Sequence, residues 1–271
     1  MTELPSYPKI VVRFFDASRP LVFAHRGGCA IGPENTLAAF DRGLAAGADG
    51  LELDVHLSSD GIPVVHHDET LERTTDGRGL LAARTADQLA RIDAGCRFDE
   101  RGAFPFRNQG VGVPTLREVL RRYPETRIII EMKVNSRAMG EAVANDVRRA
   151  GAAERVCAAG YGWRSAMAAR QALPEMASSA CQPEVHLAVY RSLAGVPVRG
   201  APYGVYQVPE IAGLIRIVSP RFIRHAHRAD LKVQVWTVDE EADMRRLLGW
   251  GVGGLISNRP DVAVRIVRGA A

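Results

Sequence analysis

Four of the seven histidines, two carboxylates two residues apart and an arginine beside a glycine pair fall between Leu21 and Asp68. That stretch reads LVFAHRGG, then PENTLAAF, GLELDVHL and GIPVVHHD. A third carboxylate and a lysine recur together in EMK at Glu131-Met132-Lys133. Glu52, Asp54 and Glu131 offer hard oxygen ligands with no cysteine among them, which suits Mg2+ or Ca2+ rather than zinc. Arg26 and Lys133 suit a phosphate, the first as a planar fork and the second as a point charge. His25 and His67 are candidates for a general acid and base, because imidazole titrates near neutral pH. A metal site, phosphate cations and paired histidines together describe phosphoryl transfer.

These residues need elements that bring them together. Leu21–Ala24 is an apolar run ending abruptly at His25-Arg26-Gly27-Gly28, the pattern of a buried parallel strand with functional residues at its carboxyl end. Leu51–Leu57 alternates, so Glu52, Asp54 and His56 share one face and Leu51, Leu53 and Val55 the other. The next apolar run starts only a few residues later, too soon for a parallel crossover of about a dozen residues. Pro63–His67 is therefore read as the return arm of a hairpin turning at Asp60-Gly61. The stretch Arg127–Val134 is apolar on both faces until Glu131 and Lys133, which point the same way.

Further strands are expected at 156–160, 176–180, 205–208, 233–238 and 254–257, with helices between most of them. Capping boxes mark helix starts at Thr85 and Thr115. Asn35 or Thr36 can cap a helix carrying Leu37, Phe40 and Leu44 on one face. With the hairpin arm excluded, eight strands alternate with helices, which predicts an α/β fold: a (β/α)8 TIM barrel. Residues 1–20 read as an irregular lead-in, 183–203 as Pro- and Gly-rich loops, and 69–113 as a small inserted subdomain after the second strand. No linker or repeat divides the chain, so 1–271 is read as one domain.

A lone histidine after a strand is more often a satisfied structural residue than a catalytic one. Three carboxylates, two histidines and two cations at the ends of three consecutive strands are harder to explain as packing. Burying that much charge costs several kcal/mol per unpaired ion.

Composition narrows the alternatives. Hydrophobic content of 46% supports a sizeable core. A net charge of +4 without a long basic run argues against a nucleic-acid partner. Only three of the 35 basic residues are lysines, which makes Lys133 inside a strand conspicuous. The four cysteines form no CxxC pair and read as reduced thiols of a cytoplasmic protein. No run approaches the ~20 apolar residues of a membrane span.

The segments HRGG, PENT, ELDVHLSSDGIPVVHHD, RTTDGRG, RGAFPFRNQGVGVPTLREVL, EMK, QVWTVD and GVGGLISNRPD occur in this order. In that arrangement the chain resembles the glycerophosphodiester phosphodiesterase family over about residues 21–262. The resemblance implies the same barrel with its insertion, one divalent cation, and hydrolysis of a small-molecule glycerophosphodiester to sn-glycerol 3-phosphate and an alcohol. It implies His25 and His67 as the catalytic pair, and it alone prefers His67 to His66. It further implies Glu52, Asp54 and Glu131 on the metal, Arg26 and Lys133 on the phosphate, and Trp236 along the glycerol. Glu34 and Asn35 read as structural, holding the first loop and capping its helix. Gly253 and Ser257-Asn258 stand where the family often has acidic residues, and are expected to affect the closing loop more than the chemistry. The alternatives are a related lyase on the same fold that stops at a cyclic phosphate, as in spider-toxin phospholipases D, and a barrel that only binds phosphodiesters.

Overall fold

The computed structural model describes residues 12–269. Residues 1–11 of the expected lead-in lie outside the described residues. The remainder of the lead-in is not all irregular, since Val12–Phe15 forms a short helix, α1.

Eight parallel strands form the barrel: β1 (Leu21–His25), β2 (Gly50–Leu57), β4 (Arg127–Met132), β5 (Val156–Ala159), β6 (Ala177–Ser178), β7 (Val205–Pro209), β10 (Lys232–Trp236) and β11 (Gly254–Ser257). They pair in the order β6-β5-β4-β2-β1-β11-β10-β7, and a single parallel bridge between Ser179 and Val205 meets at the seam. The barrel is thus nearly closed. The expected hairpin arm is β3 (Pro63–Val65), antiparallel to β2 with Val55 opposite Val65. Gly61, at φ +75°, supplies the left-handed turn residue.

Period-two alternation sorts each strand into two faces. Leu51, Leu53, Val55, Ile128 and Ile130 are buried outward against helices such as α4 (Leu116–Arg122) and α5 (Arg137–Arg149). On the far side Val22, Tyr206, Val233 and Leu255 pack with α8 (Pro220–His227), α9 (Glu241–Trp250) and α10 (Pro260–Arg268). The inward set, including Leu21, Phe23, Ile129, Cys157, Val205 and Ile256, fills the barrel. Phe14 of α1 joins it from the amino-terminal end, stacked on Phe23 at 5.9 Å between centroids. Gly50 is required here, because a Cβ would sit 2.5 Å from the Arg127 carbonyl oxygen.

Three expectations change. The segment read as loops at 183–203 contains a 13-residue helix, α7 (Gln182–Ala194). Pro183 falls in its first turn, where a proline costs no hydrogen bond, and the cap is Cys181 rather than a usual capping residue. The strand expected at 176–180 keeps only two ladder residues. A small hairpin, β8 (Ile211–Ala212) with β9 (Ile215–Arg216), follows β7 without having been anticipated.

The insertion holds a four-residue helix, α3 (Ala86–Leu89), opened by the expected Thr85–Gln88 capping box. Leu71, Leu81, Leu89 and Val113 close a small core of their own against Val64 of β3. That contact ties the insertion to the hairpin that carries His67.

Candidate active site

Strand register sets the site. His25 is level with Glu52 across β1 and β2, and Asp54 is level with Glu131 across β2 and β4. All lie at the carboxyl ends of their strands and on the inward face, where the apolar filling stops. One oxygen from each of Glu52, Asp54 and Glu131 lies within 4.8 Å of the others. Burial and the charges of Asp54 and Glu131 push the Glu52 carboxyl well above the usual carboxylate range. Burial, then the Asp54 charge, also raises Glu131, against the pull of Lys133. The Lys133 ammonium stands 3.0 Å from Glu131 and 3.4 Å from Asp54.

Arg26 closes the other side. Its backbone N–H donates to Glu52 at 3.0 Å, and its side chain lies 3.0 Å from Glu34 and 3.2 Å from Asp54. The turn after β1 allows this. Arg26 has φ 52° and Gly27 φ +87°, and a Cβ on Gly27 would meet Phe40 at 2.7 Å. The sequence offers Asn35 or Thr36 as the cap and reads Asn35 as a loop and cap residue. Of the two, Thr36 caps α2 (Leu37–Ala45), while buried Asn35 grips Asp54, donating to its carboxylate at 2.9 Å and accepting from its N–H.

The two histidines are held differently. The His25 Nδ1 lies 2.6 Å from the Asn258 side-chain oxygen. The Asn258 amide is itself oriented by donating to Asp239 at 2.7 Å, so its oxygen accepts and His25 Nδ1 donates. Burial lowers the His25 imidazole below its ordinary range, with the Asn258 bond working against it. The ring is then neutral near pH 7 and keeps a lone pair on Nε2, 3.8 Å from Glu52. Asn258 thus touches a candidate catalytic group directly, contrary to the expectation that it concerns the closing loop. The sequence signal is the departure of Asn258 from an acidic position, and it is the role expected for it, not the residue, that differs.

His67 Nδ1 lies 2.6 Å from Asp68, and Arg73 clamps Asp68 to Glu34 with hydrogen bonds of 2.5–3.1 Å. Glu34 is therefore more than a loop support, because it links Arg26 to the His67 side of the site through Arg73. The surroundings of His66 and His67 differ. His66 is buried with its ring on the Thr70 carbonyl at 3.2 Å, whereas His67 is half-buried and adds to the charge environment of Glu131. His56, on the same face as Asp54, bonds the His67 carbonyl at 2.9 Å and supports that loop.

Trp236, the last residue of β10, stands edge-on to Tyr161 at 6.1 Å. Burial, then the Glu131 and Asp54 charges, raise the Tyr161 hydroxyl to about 12. Sequence reading missed Tyr161, Asp239 and Arg73; Tyr161 meets Trp236 and Arg73 meets Glu34 only across the fold, whereas Arg73–Asp68 and Asp239–Asn258 are nearer in the chain.

The glycerophosphoryl diester phosphodiesterase family model matches residues 25–262. The chain belongs to this family. Its relatives include a glycerophosphodiester phosphodiesterase of Caldanaerobacter subterraneus, 30% identical over 92% of this chain and 98% of that one. A glycerophosphodiester phosphodiesterase of Bacillus altitudinis is 32% identical over 90% and 97% of the two chains. A solved glycerophosphodiester phosphodiesterase of Agrobacterium tumefaciens superposes with a TM-score of 0.74 at 29% identity, covering 90% of this chain and 98% of its own.

Proposed function

We propose that this chain hydrolyses glycerophosphodiesters to sn-glycerol 3-phosphate and an alcohol. The observation that carries the reading is the convergence of three carboxylates, Lys133 and Arg26 beside His25 in a member of this family. We read the chain as a single phosphodiesterase domain, cytoplasmic, with the insertion contributing to the site. No helix among the described residues is long and apolar enough to cross a membrane. The substrate is a small molecule rather than a nucleic acid.

Glu52, Asp54 and Glu131 fit one divalent cation, Mg2+ or Ca2+. They bring three hard oxygen donors together, and burial followed by the neighbouring carboxylate charges raises Glu52 and Glu131. When bound, such a cation supplies Lewis-acid stabilisation of a phosphoryl oxygen.

The chain's own residues do the rest. Lys133 and Arg26 face the phosphate and offset the negative charge that grows on it. Trp236 packs along the glyceryl carbons. His25, neutral with Nε2 free, removes the proton from the substrate's 2-hydroxyl as that oxygen attacks phosphorus. His67, oriented by Asp68, protonates the leaving alcohol. Water then opens the cyclic phosphate with the two roles exchanged.

Phosphorus NMR of glycerophosphocholine incubated with Mg2+, with Ca2+ and with EDTA tests this. Glycerol 3-phosphate should accumulate with a metal and not with EDTA. A cyclic phosphate as the only end product would show a lyase instead, and an unchanged spectrum in every sample would reject the catalytic reading.

A further inference from the structure

The net charge of the chain is unevenly placed. Residues 185–229 carry six arginines against a single carboxylate, Glu210, a net +5 in a chain whose total is +4. Glu210 is itself held by Arg216 and Arg246. Among the described residues, no ion pair occupies Arg191, Arg199, Arg221, Arg224 or Arg228. Arg191 of α7 and Arg221 and Arg228 of α8 all act on His225, whose imidazole is lowered by burial first and then by these three charges. They therefore stand together on one flank of the barrel.

The same segment carries uncovered apolar side chains. Of eleven large hydrophobic residues exposed among the described residues, seven lie between Leu187 and Ile215. Leu187, Tyr190 and Leu193 recur every three positions on α7 and share its outward face. Ile211 and Ile215 are exposed on the β8–β9 hairpin, and Leu214 at its tip is 104% exposed. Surface of this kind marks an interaction site.

Arginines and apolar residues occupy one side of the molecule. Arg221, in the first turn of α8, donates to the Ser192 and Leu193 carbonyls at 2.9 and 2.6 Å, so the start of α8 abuts the end of α7. Residues 217–219 join the hairpin to α8. The barrel mouth lies at the edge of this surface. Val185 of α7 and Ala212 of the hairpin line the apolar cavity that opens beside the carboxylate cluster, together with Tyr161 and Trp236. The Tyr161 carbonyl accepts from the Gln182 N–H at the start of α7 at 3.2 Å, and Tyr161 and Trp163 are exposed beside it.

We propose that this surface docks the protein on a lipid bilayer of net negative charge, with the hairpin tip in the acyl boundary and the arginines against the headgroup phosphates. A second copy of the chain is a poor occupant, because a two-fold contact would set two segments of net +5 against each other. A folded protein would need a pocket shaped to Leu214, whereas hydrocarbon takes any shape. Single-stranded nucleic acid gains from stacking on aromatic rings, which an aliphatic tip does not offer. An anionic bilayer uses both features. Apolar side chains enter the boundary between headgroups and acyl chains, and each arginine near the surface favours binding about fivefold. Tyr161, Trp163 and Tyr190 suit the headgroup level, where one end of an aromatic side chain is wet and the other apolar. Docking in this way turns the barrel mouth toward the lipid surface.

The test is cosedimentation of the full chain with vesicles, without substrate or metal, so its outcome is separate from the phosphodiesterase reading. Vesicles of mixed phosphatidylglycerol and phosphatidylcholine should carry the protein down at low salt, and vesicles of phosphatidylcholine alone should not. High salt should weaken partitioning by about tenfold or more. Leu214→Asp, at a fully exposed position, should lower partitioning by about tenfold or more while thermal unfolding matches wild type. Leu214→Trp should show blue-shifted emission on the anionic vesicles and quenching by brominated acyl chains. Equal partitioning onto both vesicle types, or onto neither, overturns the proposal. Unchanged partitioning of Leu214→Asp, or a Leu214→Trp emission that vesicles do not shift, overturns the role of the hairpin. A concentration-dependent dimer in sedimentation velocity, lost in Leu214→Asp, assigns the surface to a second copy and overturns the bilayer.

Discussion

His66 and His67 are adjacent, and their environments assign them opposite fates. His66 spends its ring on the Thr70 carbonyl in the interior, while His67 meets Asp68 at the barrel mouth. On the proposed roles, His67→Ala should lower kcat by on the order of 10²–10⁴. His66→Ala should leave saturating kcat within about threefold and instead lower stability by about 1–3 kcal/mol, through the emptied site and the unpaired carbonyl. Steady-state kinetics and urea unfolding on both variants separate the two. Asn258 belongs to the same scale. Asn258→Ala should lower kcat by about an order of magnitude while KM moves little, because it frees the His25 ring rather than removing a substrate contact. The sequence supplied the residue types for the site, since charge at a strand end is local information. It did not supply the Asp239–Asn258–His25 chain, whose outer members are separated by 214 positions and meet only when β11 closes beside β1.

At the scale of elements, the opposite ends of the barrel do different work. The amino-terminal end is stoppered by Phe14, 1% exposed, from a helix of only four residues. Truncating it should cost about 3–5 kcal/mol. Phe14→Ala should therefore shift the urea midpoint strongly while KM, measured well below that midpoint, stays the same. A fall in kcat and a rise in KM without loss of stability would contradict this division of labour. The strands and most helices were legible because buried parallel strands and capping boxes are local patterns. Helix α7 was not. Its proline reads as a breaker, and its exposed Leu187, Tyr190 and Leu193 blur the polar face that periodicity relies on.

For the whole molecule, the carboxylates couple folding to solution conditions. Glu34 and Asp68 are both partly buried, which alone would raise them, but Arg73 hydrogen bonds and charge bring both below the usual range. Groups depressed on folding stabilise the native state fully above their unfolded values, about 4.3 and 3.9. That contribution fades as pH falls through the folded values. Arg73→Met should thus cost roughly 1–2 kcal/mol at pH 7, allowing for the exposure of Arg73. The deficit should shrink below about pH 4, which chemical denaturation across pH 3–7 would read out. The carboxylate cluster, on the proposed function, gives a second whole-molecule outcome. Mg2+ or Ca2+ at 100 times its Kd should add about 2.7 kcal/mol, raising Tm by several degrees. Asp54→Asn should abolish most of the rise.

The amino-acid sequence alone determined the barrel class and the residues that carry charge at strand ends, because strand period, caps and crossover length are encoded within short windows. Tertiary structure decided which of two adjacent histidines faces the mouth, which asparagine steadies His25 and where an apolar cavity opens. Those features depend on strand register around the barrel and on distant side chains meeting across it, and no local pattern specifies either.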